Sequence, residues 1–375
     1  VHAAIAWLVS REWLGLAVGG GALVLAVWAR SDLLAVTASL IGAVLLIGGT
    51  INLTRVASSR RRHPPPGRLV DVGGYHVHVL GEGEPNGTLP IVWFGGGHAA
   101  GLVMRHLHDA LRQETRSILI DRPGTGWSDT GPFPRTTARE ADEMVRALAA
   151  ASESGPFVLA GYSFGGLLAA NIARRHPELV ARLVLIDPTP LETLVFGPRL
   201  GALPEIRRDA LASALVRHLG LSTNFQERRA ARTPGHAEMS RDFERVLGPA
   251  LETLRGLEVG AGPRMAEWSI YRELLGPHIA GCGWETVVYD GDLGDMSVWL
   301  VAPGSSEELH ATPEVADASD GEAARMLRFF QRTRERYLAI SSNSRRIYAP
   351  PGATHQFVYQ MPEFLIETMR TAVRR

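Results

Sequence analysis

The chain has 375 residues, and its 39 Lys+Arg balance 39 Asp+Glu to a formal net charge of zero. That length suits one large domain plus an appendage, and the balance leaves no electrostatic footprint for nucleic acid or for a strongly charged partner. The lone cysteine, Cys282, excludes an internal disulfide and a cysteine-built structural zinc site, and is compatible with a reducing compartment.

Two uncharged apolar runs open the chain, Trp13 to Ala29 and Leu33 to Leu53, separated by Arg30, Ser31 and Asp32. As helices they reach about 25 and 31 Å, close to the ~30 Å hydrocarbon thickness of a bilayer. Gly19–Gly21 and Gly48–Gly49 permit close helix approach, and Trp7, Trp13 and Trp28 lie near the run ends, where indole rings favour the interface. A signal peptide is shorter and is not followed by a second full-length run, and a buried core hairpin shows a polar face. A two-span transmembrane hairpin is therefore expected. Arg55 and Arg60-Arg61-Arg62 follow as a basic flank, which by the positive-inside rule puts the rest of the chain on the cytoplasmic side. Pro64-Pro65-Pro66-Gly67 is a stiff spacer. It divides an anchoring segment, 1–67, from a catalytic domain, 68–375.

From Arg68 the pattern changes. Leu69–Val72 and Tyr75–Leu80 around Gly73-Gly74 read as a hairpin. Pro90–Phe94 is a short apolar strand ending in Gly95-Gly96-Gly97. A helix over about 102–113, a strand Ser117–Ile120, a turn Asp121–Asp129 and an amphipathic helix Ala138–Ala151 follow. Then come strand Phe157–Ala160, helix Phe164–Arg175 and strand Leu183–Ile186. The stretch from about 190 to 282 reads as helices, an insertion placed to form a lid over the sheet's C-terminal edge. Alternation resumes with strand Ser297–Val301, helix Glu322–Ile340, strand Arg345–Ala349 and helix Pro362–Val373. Apolar strands alternating with helices predict a mostly parallel, doubly wound α/β sheet.

Gly161-Tyr162-Ser163-Phe164-Gly165 matches G-x-S-x-G at a strand-to-helix junction, which presents a serine hydroxyl above the sheet at the positive end of a helix. Such a hydroxyl needs a base. Chain order for this elbow runs serine, acid, histidine. Of the 13 histidines, His355 alone sits in the loop between the last strand and the last helix. Two N–H donors for a developing oxyanion are expected from Phe164 and from Gly96, with Gly97 second.

These four motifs in chain order (the glycine loop at 95–97, the Asp121–Asp129 turn, the elbow and the His355 segment) resemble the α/β-hydrolase superfamily over about Arg68 to the C-terminus. The nearest likeness is to its lidded esterase, peptidase and C–C hydrolase branch. One departure is that Phe94-Gly95 stands where that branch often has His-Gly. The resemblance implies acid candidates after either of two strands. Glu307, past Ser297–Val301, is the first choice. Asp187, past Leu183–Ile186, is the alternative acid, and Glu308 follows. Asp121 and Arg122 are expected to stabilise their turn. The implied chemistry is serine ester, thioester or amide hydrolysis with no cofactor and no metal, on a small-molecule or lipid-like acyl substrate, with membrane lipid as the other partner and no nucleic acid. A prolyl-aminopeptidase-like peptidase and a non-catalytic ligand-binding or membrane scaffold are the other readings.

Overall fold

The computed structural model describes residues 2–189, 202–222, 231–232, 236–275, 290–303 and 332–375, with isolated positions 225, 228, 321, 325 and 328. Eight strands form one sheet: β1 Arg68–Asp71, β2 His76–Glu82, β3 Ile91–Phe94, β4 Ser117–Ile120, β5 Phe157–Tyr162, β6 Val180–Ile186, β7 Ser297–Ala302 and β8 Ser344–Tyr348. Their order is β1-β2-β4-β3-β5-β6-β7-β8. The β1–β2 and β2–β4 pairings are antiparallel and the rest are parallel.

The central strands are mostly apolar because both faces are covered. Val92 and Phe94 point to one face with Leu159, Leu183 and Leu185. There they meet Met144 of α5 (Thr137–Ala150) and Leu168 of α6 (Phe164–Arg175). Ile91 and Trp93 point to the other face with Val184 and Val301. There they meet Leu107 of α4 (Arg105–Leu111) and Met369 of the C-terminal helix Pro362–Ala372. Period-two alternation thus fills two cores from one sheet. Between β6 and β7 lie four described helices: α7 Ala202–Arg217, α8 His236–Leu247, α9 Pro249–Leu257 and α10 Ala261–Leu275. Ile270, Tyr271 and Leu274 of α10 pack on Phe164 and Leu167, so this insertion covers the start of α6.

The N-terminal segment is three helices, α1 His2–Val9, α2 Leu14–Trp28 and α3 Asp32–Arg62. Ser31 caps α3, its Oγ accepting from Leu34 N at 3.3 Å. α2 and α3 form the expected hairpin, and a Cβ on Gly19 would stand 2.9 Å from the Gly42 carbonyl. The expected pair of spans is matched in part. Among the described residues, only α3 is by itself long and apolar enough to cross a membrane. α2 has 15 residues, about 22 Å, and passes the same test only jointly with α1, from which it is bent by 92°. The bend falls at Arg11 and Glu12, and Glu12 is occupied elsewhere. Its carboxylate accepts from Asn52 Nδ2 at 2.7 Å and from the first two amides of α10, Ala261 N at 3.1 Å and Gly262 N at 3.0 Å. The basic flank is helical. α3 stays helical through Arg62, where arginines suit the negative helix end, and stops short of Pro64.

Candidate active site

The turn between β5 and α6 is built by its glycines. A Cβ on Gly161 would fall 2.6 Å from Gly166 Cα, and one on Gly165 would fall 2.6 Å from the Phe94 carbonyl carbon. Strand, helix and neighbouring β3 therefore meet backbone to backbone, and Ser163 takes up the bend at φ 54°, ψ −120°. That left-handed conformation is costly for a serine and persists because the surroundings fix it. Ser163 N donates to Ile186 O at 3.0 Å, and Ser163 O accepts from Thr189 N at 3.1 Å, so the elbow is tied to the end of β6.

Three side chains converge there. His355 Nε2 lies 3.1 Å from Ser163 Oγ, and His355 Nδ1 lies 2.7 Å from Asp187 Oδ2. Asp187 directly follows β6 at φ 40°, with its N donating to Val301 O at 2.8 Å. It is 2% exposed. Burial works to raise its carboxyl, but the Arg334 charge, with Nε 2.8 Å from Oδ1, and the hydrogen bond from His355 outweigh it. The group is held below the ordinary carboxylate value. The His355 ring stacks on Tyr162 at 5.1 Å, and Tyr162 OH donates to the His355 carbonyl at 2.9 Å. Thr189 Oγ1 stands 3.2 Å from Ser163 Oγ.

Gly96 is packed against the same serine. A Cβ there would lie 3.1 Å from Ser163 Cβ and 2.9 Å from Tyr162 Cδ1, so only glycine lets this backbone approach. Phe164 N opens α6 on the other side of Ser163. The loop carrying Gly96 is held from the Asp121–Asp129 turn. The buried Arg122 donates to the Gly97 carbonyl, and its guanidinium carbon lies 5.0 Å from the Phe164 ring centroid. Asp121 organises the turn, accepting from Gly101 N at 2.7 Å and Trp127 N at 3.0 Å and facing His78 Nδ1 at 3.0 Å. Phe94 has become a core residue. The same loop carries His98, kept neutral by burial and by the charges of Arg122 and Arg264, with Nε2 3.3 Å from Gly124 O.

Ser163, His355, Gly96 and Phe164 are thus brought together. Glu307 and Glu308 lie outside the described residues, and the Nδ1 side of His355, where the acid of such a site must sit, is taken by Asp187. Sequence reasoning missed Arg334, Thr189 and Tyr162. Only Tyr162 carried a signal, as the variable position of the elbow motif. At the far edge of the sheet Glu82, His108 and Asp109 bring ligand atoms within 4.8 Å of one another. Arg105 and Arg112 pair with both carboxylates, so that cluster is already charge-balanced.

Residues 90–248 match the family model described as alpha/beta hydrolase fold. A thermophilic esterase from Thermogutta terrifontis superposes with a TM-score of 0.54 at 18% identity, covering 82% of this chain and 97% of that one, a likeness of fold. With the sheet order above, these findings show the α/β-hydrolase fold. It is similar to a (lyso)-N-acylphosphatidylethanolamine lipase of Homo sapiens, 31% identical over 140 residues, which are 36% of this chain and 40% of that protein. It is also similar to a 1-acylglycerol-3-phosphate O-acyltransferase of Arabidopsis thaliana, 36% identical over 109 residues, 28% of this chain and 25% of that protein. The matched stretches span between 14% and 66% of the length of the curated relatives.

Proposed function

We propose that the chain is a membrane-anchored serine hydrolase that cleaves an ester, thioester or amide bond through an acyl-enzyme. The supporting observation is the hydrogen-bonded line from Ser163 Oγ to His355 Nε2 and from His355 Nδ1 to Asp187 Oδ2. Ser163 Oγ attacks the acyl carbonyl as its proton passes to His355 Nε2. Asp187 fixes the tautomer and stabilises the imidazolium. The amides of Gly96 and Phe164 receive the oxyanion. The leaving alcohol, thiol or amine takes the proton from His355, and water repeats the sequence to free the acid. Relatives named as a lipase and as acyltransferases support an acyl, lipid-like substrate. The anchor is the α2–α3 hairpin, read as two spans, with Arg60–Arg62 keeping the hydrolase domain on the cytoplasmic side.

The test is fluorophosphonate labelling of the full chain in membranes, followed by an ester panel of increasing acyl length. Labelling should vanish in Ser163→Ala, and Ser163→Ala and His355→Ala should each lose ~10³-fold or more in turnover. Near-normal turnover in either variant overturns the assignment. A chain that never labels would instead be a ligand-binding or scaffold protein. Cleavage confined to N-terminal prolyl peptides would move it to the aminopeptidase reading.

A further inference from the structure

We infer that one corner of the helical insertion, Leu215, Leu219 and Leu221, is itself seated in the bilayer surface beside α1, so that the cover of the active site rests directly on lipid. This rests on the hairpin being membrane-inserted.

The first observation is where exposed apolar side chains occur. Among the described residues beyond 63, the exposed large hydrophobics are Leu69, Leu215, Leu219, Leu221 and Tyr348. Three of these five fall in one short stretch, at 48%, 41% and 51% exposure. Singly placed exposed leucines are ordinary, but a cluster marks a contact surface.

The second observation is what holds that stretch. A Cβ on Gly48 of α3 would lie 2.7 Å from Leu219 Cα, and Arg55 of α3 donates to Gly220 O at 3.1 Å. His218 Nε2 donates to Val9 O of α1 at 2.9 Å. The leucines are therefore fixed at the level where α3 leaves its apolar stretch. Ile47 and Ile51 are themselves exposed on α3 there.

The third observation is α1. It turns 92° from α2, so with α2 along the bilayer normal α1 lies in the plane of the surface. Its Ala6 and Val9 pack inward on Ala214, Ala261 and Met265, while Ile5, Trp7 and Leu8 face outward. That division is what an interfacial helix shows, and the Arg11 guanidinium 4.4 Å above the Trp7 ring fits a headgroup-level position. The outward faces of α1 and of the 215–221 corner continue the hydrophobic surface of the hairpin, which selects a bilayer as the occupant.

The consequence reaches the site. α7 ends at the leucine corner and packs on α10, whose Ile270, Tyr271 and Leu274 cover Phe164. Lipid contact at one end of this helix pair thus bears on the ceiling of the nucleophile at the other.

The experiment uses full-length chains with Cys282→Ser and one new cysteine, Leu219→Cys, Leu40→Cys or Tyr348→Cys, each carrying an environment-sensitive fluorophore. They are reconstituted in phosphatidylcholine vesicles with and without a nitroxide-bearing lipid. Labels at 219 and 40 should be quenched by about twofold or more and the label at 348 should not. Quenching at 40 but not at 219 overturns this inference and leaves the hairpin anchor standing, including the case in which a second copy covers the leucines. Quenching at neither shows that the anchor reading itself fails. In parallel, Leu215→Asp with Leu219→Asp should slow hydrolysis of a vesicle-borne long-chain ester about tenfold and leave a soluble short-chain ester within about twofold. Equal losses on both substrates, or no loss on either, overturn the coupling.

Discussion

Asp187 sits where two opposing effects meet. Full burial penalises its charge, while Arg334 and His355 favour it, and the balance keeps it ionised. In the proposed mechanism an ionised Asp187 accepts from His355 Nδ1–H, leaves Nε2 free to take the serine proton and stabilises the imidazolium that forms. Asp187→Asn should therefore lower kcat by ~10²-fold or more while the protein stays folded, and Glu307→Gln should stay near the parent rate. Assaying the two variants side by side with thermal melts checks this; a slow Glu307→Gln with a normal Asp187→Asn would reverse the assignment. A pH effect follows with a definite sign. The folded-state value of Asp187 lies below the ordinary 3.8, so its charged form contributes stability above that value and loses it as pH falls through the folded value. The melting difference between parent and Asp187→Asn should accordingly hold above about pH 5 and shrink as pH falls through 3.8 and below. Ser163 and His355 were legible in the sequence because each is marked by a local pattern, an elbow and a loop between the last strand and helix. The acid was not, because two strand ends point at the same histidine and spacing does not tell which loop closes on it. Arg334 left no trace at all, since its partner is far away in the chain.

In the proposed mechanism the glycine loop at 95–97 supplies an oxyanion donor and α6 follows the nucleophile, so the two must be held in register. Arg122 links them, with its guanidinium donating to the Gly97 carbonyl and lying over the Phe164 ring. On the proposed reading it acts through the backbone around Ser163, as a positioning residue. Arg122→Met should leave KM within about threefold and lower kcat by ~10-fold or more, below the 10²–10³-fold cost of deleting an oxyanion donor outright. Arg122→Lys should recover part of the loss. A fall in KM-independent rate that tracks a fall in melting temperature across all variants would mean that Arg122 only supports the fold. At this scale the strand–helix alternation was readable because strands buried on both faces become short apolar runs. Helix ends were less so. α3 runs through Arg62 because no breaker precedes Pro64, and α1 escaped notice because a helix of 8 residues shows too little periodicity.

At the scale of the whole molecule, the hairpin is a structural partner of the domain that covers the site. Glu12 caps α10, Ser59 Oγ donates to Gly256 O at 2.5 Å, and Trp127 Nε1 donates to His63 O at 2.8 Å. Ala6 and Val9 fill a small core with Ala214, Ala261 and Met265. Composition suggested a tether joined by a stiff proline spacer, because apolar runs announce themselves and docking contacts do not. The contacts make a different prediction. A chain starting at Arg68 leaves the first amides of α10 uncapped, at a cost of about 1 kcal/mol, and uncovers the apolar residues under α1. It should melt at least about 5 °C below the full-length chain. Glu12→Gln in the full chain should give part of that drop, since it weakens the charge-assisted bonds to α10 without removing α1. The measurement is a set of melts in one detergent, with turnover of a soluble ester followed alongside. Equal melting temperatures and rates for full-length and truncated chains would show that the hairpin anchors the enzyme without bracing it. A truncated chain that melts early while Glu12→Gln matches the parent would assign the bracing to apolar packing of α1 and not to the cap.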